Sequence, residues 1–105
     1  MSGVYINLDP NTSAVDKLST KVCAVLWQLY YHINKENICD KRRLQARMHW
    51  IKDQRSWRKY WKELVEQEVI IYLDQKTFMV SPYQCYHEGV SKDVLVNRWE
   101  EIKHN

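Results

Sequence analysis

An α+β domain, with helices first and a β-hairpin after them, is what this sequence predicts, and three observations carry the prediction. Apolar residues from Val22 to Ile33 recur at helical spacing. Residues 55–64, RSWRKYWKEL, separate into a basic and an aromatic face when wound into a helix. Beyond residue 68 the period changes, and two short β-rich runs flank Asp74-Gln75-Lys76. Two Gly and two Pro among 105 residues, with 45% hydrophobic content, argue against a loop-rich or disordered chain. The expected organisation is one domain over 1–105: a strand and lead-in over 1–18, a core over 19–80, and a connector with a last helix over 81–105.

Val4, Ile6 and Leu8 alternate with polar or amphipathic neighbours, which predicts a short strand ending at Asp9-Pro10. Asn11-Thr12-Ser13 reads as a turn. Ser19 or Thr20 suits the N-cap of the first helix, in which Val22, Val25, Leu26, Leu29, Tyr30 and Ile33 form the core stripe to about Asn34. After a polar break and a brief apolar touch at Ile38 and Cys39, a second helix is expected from near Asp40, with Leu44, Met48 and Ile51 facing inward. The third runs from Asp53, a suitable N-cap, to Glu68. Val69–Leu73 and Thr77–Val80 read as a hairpin, Ser81-Pro82 ends it, and residues 83–89 form an aromatic connector. Ser91 then caps a helix with Leu95 (or Val94), Trp99 and Ile102 on one stripe.

Charge is concentrated. Residues 41–62 hold nine of the sixteen basic residues against one acid, Asp53, a formal +8, whereas the whole chain is +3 and the remainder therefore −5. At about 100° per residue, Arg55, Arg58, Lys59 and Lys62 share an arc of roughly 100°, opposite Trp57, Tyr60, Trp61 and Leu64. A solvated helix face is the bland account of such an arc, and an acidic protein partner is another. Nine bases to one acid over two adjacent helices favour a polyanion.

A core helix, two shorter helices of which the second is basic and amphipathic, then a hairpin, is the element order of a winged helix-turn-helix domain with an additional C-terminal helix. The chain also resembles winged-helix plasmid replication initiators of the RepL type and related phage regulators. The likeness runs from Asp16-Lys17-Leu18-Ser19 through the first helix, then WRKYWKELVEQEVI over 57–70, then Phe78-Met79-Val80-Ser81-Pro82 to Gly89, about three quarters of the chain. Two departures stand out. Trp50-Ile51-Lys52 occupies the turn between the helices, where the family usually carries Gly, and Ser81 stands where Asn is usual. They suggest a diverged, viral type of member and leave the tightness of that turn open.

The resemblance implies a double-stranded DNA-binding protein, a phage- or plasmid-type transcription regulator or replication-initiation factor. In the winged-helix arrangement, Gln54, Arg55, Ser56 and Arg58 are the candidates for base edges, since the N-terminal part of a recognition helix inserts deepest. Arg42, Arg43, Arg47, Lys52, Lys59, Lys62 and Lys76 suit phosphates, positioning without specifying. The competing function is a small viral adaptor or inhibitor whose basic face docks on an acidic host protein, such as part of a polymerase. Leu95, Trp99 and Ile102 either cover the core edge or form the two-fold interface of a homodimer that would double the DNA contact. Trp57, Tyr60 and Trp61 are expected in the core, although aromatic residues also stack on single-stranded bases.

Other chemistry is weakly signalled. Cys85 and His87 lack the second ligand pair of a tetrahedral zinc site, and His32, His49 and His104 are scattered surface or helix-end residues. No phosphate loop and no nucleophile–base signature is present, so neither metal, cofactor nor catalytic residue is expected. No apolar run reaches the roughly 20 residues of a membrane span. The start, MSGVYINLDP, lacks signal-peptide character, and three widely spaced cysteines suit a reducing compartment. Both point to the cytoplasm, with no disulfide.

Overall fold

A computed structural model describes residues 3–105. The first strand, β1 (Val4–Ile6), is followed by a 3-10 helix (Ala14–Lys17) and by α1 (Thr20–His32). Val22, Val25, Leu26, Leu29 and Tyr30 of α1 are buried, as the helical spacing requires. Ser19 occupies the N-cap without a side-chain cap bond; its backbone N–H donates instead to Glu63 Oε2 at 2.9 Å. Ile33 turns extended, ending α1 two residues before the expected Asn34 while its side chain stays buried. Leu8, expected to alternate inward, is exposed beyond the end of β1.

Two strands arise where none was expected. β2 (Ile38–Asp40) leads into α2 (Lys41–Arg47), and β5 (Cys85–His87) lies in the aromatic connector. Between them come α3 (Gln54–Glu66), β3 (Ile70–Tyr72) and β4 (Thr77–Val80), and α4 (Lys92–Lys103) closes the chain. β2, β4 and β3 form an antiparallel sheet with β4 in the centre, pairing Cys39 with Phe78 and Ile71 with Met79. β1 and β5 form a separate antiparallel pair.

Alternation along β4 divides the core. Phe78 and Val80 pack among α1, α2 and α3 with Leu44, Trp57, Trp61 and Leu64. Met79 points to the other side, where it meets Leu95 and Trp99 of α4, with Ile71, Tyr86 and Ile102 packed around them. The sheet is thus sandwiched between three helices and one. This corrects the interface role considered for the C-terminal stripe: Leu95 and Trp99 are 3% and 1% exposed within their own chain, and Ile102 is half-buried against them. They cover the core edge.

Buried Asn37 fastens the sheets together. Its φ is 61°, a conformation that Asn tolerates, and its Nδ2 donates to the carbonyls of Val80 at 3.1 Å and Cys85 at 2.7 Å. The other left-handed residue, Glu68 at φ 58°, ends α3 earlier than its expected boundary. The N–H of Glu68 donates to Val65 O and that of Val69 to Leu64 O, the paired bonds of a Schellman motif. No helix among the described residues is long and apolar enough to cross a membrane.

Candidate functional site

Aspartates start both helices of the basic segment. Asp40 accepts from the N–H groups of Arg42 and Arg43, and Asp53 accepts from that of Arg55 at 2.9 Å, so each carboxylate satisfies a helix N-terminus. The turn between α2 and α3 closes without a left-handed residue, which accounts for the missing glycine. The Ile51 N–H donates to Met48 O at 3.0 Å, and the Trp57 indole N–H donates to Ile51 O at 3.0 Å. Met48 is buried beneath, and Trp50 stands outward beside His49.

The expected two faces of α3 hold. Trp57, Trp61 and Leu64 are buried, Tyr60 is half-buried, and Arg55, Arg58, Lys59 and Lys62 are exposed. The two indoles stack with centroids 5.3 Å apart, and Trp61 packs on Phe78 at the same distance. The ammonium of Lys41 lies over Trp61 at 5.6 Å and over Tyr72 at 5.4 Å, within cation–π range of both rings.

The β3–β4 turn is drawn toward α2 by a hydrogen bond from Lys41 N–H to Lys76 O at 2.8 Å, continuing the β2–β4 ladder. Within the turn, Asp74 Oδ1 accepts from the N–H groups of Lys76 and Thr77 at 2.7 and 2.8 Å. These bonds hold the Asp74 carboxyl below the usual carboxylate range.

A groove of about 310 Å³ results, floored by Trp57 and Trp61. Arg42 and Gln45 of α2, Gln54 and Arg58 of α3, and Gln75 and Lys76 of the turn line it. It brings together two of the four residues expected to read bases and two of the seven expected at phosphates. Arg55, Lys59 and Lys62 lie on the exposed face of α3, where Lys62 has a long, exposed contact to Glu66 at 3.9 Å, and Lys52 is exposed in the preceding turn. Ser56 is half-buried. Arg43 and Arg47 are not at the groove; with His32 they line a different notch.

Gln45, Gln75 and Lys41 were not singled out from sequence. Gln45 lies three residues after Arg42 and shares its helix face, a signal that charge counting passes over. Cys39 and Cys85 are free, and burial pushes their thiols up to about 11 and about 12. His87 Nε2 is engaged by Ile33 O at 2.8 Å, and no cluster of three metal-ligating side chains occurs among the described residues. Comparison with protein-family models, with curated proteins and with solved structures gives no match.

Proposed function

We propose that this chain is a winged helix-turn-helix protein that binds double-stranded DNA, with α3 as the recognition helix and the β3–β4 hairpin as the wing. The observation that carries the reading is the groove, in which α2, α3 and the hairpin turn present amides and bases on one surface while the aromatic side of α3 is used up in the core. Amide and guanidinium groups are the side chains that pair bidentately with adenine and guanine. Gln54, Arg55, Ser56 and Arg58 are the base readers in this scheme. Arg42, Arg43, Arg47, Lys52, Lys59, Lys62 and Lys76 meet phosphates. The biological role that follows is regulation of transcription or initiation of replication.

Binding to duplex fragments, followed by electrophoretic shift across a salt series, tests the proposal. With about 6 to 10 phosphate contacts, affinity falls by about 10³- to 10⁵-fold between about 50 and 200 mM salt. No duplex binding at low salt would overturn it and favour an acidic protein as the partner of the basic face.

A further inference from the structure

Arg43 and Arg47, four residues apart on α2, turn away from the groove toward the end of α1. There they line a notch of about 440 Å³ with Ala46 and His32. Among the described residues neither guanidinium is ion-paired with a carboxylate. His32 is the last residue of α1, half-buried, its ring edge-on to Tyr31 at 5.4 Å. Burial first, then the charges of Arg47 and Arg43, hold its imidazole below the ordinary histidine range.

A helix C-terminus favours a cation in its last turn, which accounts for His32 at the end of α1 and Arg47 at the end of α2, but not for Arg43 joining them on one notch. Two guanidiniums and an imidazole around one concavity leave positive charge uncompensated. A tetrahedral phosphoryl anion offers what the notch lacks: negative charge and at least two acceptor oxygens suited to the planar guanidinium fork.

We propose that His32, Arg43 and Arg47 form a phosphoryl-binding notch, separate from the α2–α3 groove. The group it takes is either a backbone phosphate of nucleic acid or a free phosphorylated ligand. The first source rests on the duplex-binding reading and the second does not. An occupying anion counters the two arginine charges, so it moves His32 back toward its ordinary protonation range.

The test is an NMR titration of the four histidines of the full chain, with His49 and His104 as controls. Inorganic sulfate serves as the probe, because its charge stays constant across the imidazole range, against chloride at matched ionic strength. Sulfate is expected to raise the His32 midpoint selectively. In the doubly substituted Arg43→Gln, Arg47→Gln chain, the midpoint is expected to start higher and to ignore sulfate. A parallel titration with a duplex oligonucleotide separates the sources. A response to duplex alone or to both supports a backbone phosphate, and a response to sulfate alone supports a free ligand. If His32 responds to neither, or still responds in the double variant, the notch is overturned, even where an electrophoretic shift shows that the duplex binds. Failure of duplex binding with a sulfate response intact would sink the DNA reading and leave the notch standing.

Discussion

Trp57 does two jobs at once: its ring fills the core between α3 and the sheet, and its indole N–H fixes the α2–α3 turn through Ile51 O. Trp57→Phe keeps much of the packing and removes the hydrogen bond, so we expect a loss of about 1–3 kcal/mol in urea unfolding. Asn37 is similarly placed between elements. Asn37→Ala strips the donors from two buried carbonyls and puts Ala at a positive φ, with an expected loss of about 2–4 kcal/mol by the same measurement. On the exposed side the single-residue effects should appear in binding. Arg58→Ala is expected to relax base preference at one position by about 1–3 kcal/mol, whereas Lys59→Ala weakens all duplexes alike and lowers the salt slope by about 1. Quantitative binding to a panel of duplexes distinguishes the two.

Among the elements, legibility followed length and locality. Thirteen-residue α1 and α3 carry enough turns for a periodic stripe, and Val22 to Ile33 and Trp57 to Leu64 were readable as such. The hairpin was readable because β3 and β4 are joined by a turn whose Asp74 side chain organises it. Three-residue β2 and β5 have neither the alternation that marks β1 nor an adjoining hairpin turn. Ile38-Cys39-Asp40 becomes β2 only by pairing with Thr77–Met79, and Cys85–His87 becomes β5 only by pairing with β1 some eighty residues away. Nor does α3 announce its end, because Glu68 takes the conformation usually left to glycine. In a Lys103→Ala background, which removes the exposed ion pair of Glu68 at 3.0 Å, Glu68→Gly is expected to stabilise by about 1 kcal/mol. The β3–β4 turn should respond to acid. The folded-state pKa of Asp74 lies below its unfolded value, so its contribution is present above the unfolded carboxylate range and is lost as pH falls through the depressed folded value. The amide resonances of Lys76 and Thr77, followed on acidification, should report that loss, and Asp74→Ala should abolish the transition.

At the scale of the molecule, the two sides of the three-stranded sheet divide the labour. α4 closes one side through Trp99 and Leu95, so the C-terminal stripe is structural, and the other side supports α1, α2 and α3. The charge asymmetry visible in the sequence, +8 over residues 41–62 against −5 elsewhere, is distributed by the fold over three places: the groove, the outer face of α3, and the His32 notch. Sequence reasoning found the charges but not this division, because which way Arg42 and Arg43 point depends on the packing of Leu44 and Met48 beneath α2. In the proposed function, the groove surface is a duplex DNA interface. Its most direct test is a map of backbone and side-chain amide shifts as duplex DNA is added at about 50 mM salt, where the electrostatic contribution is strong. Gln45, Gln54, Arg58, Gln75 and Lys76 are expected to move together, while the buried indoles of Trp57 and Trp61 are not broadened by direct contact. Perturbations confined to α4 and the β1–β5 pair, or none at all, would contradict it.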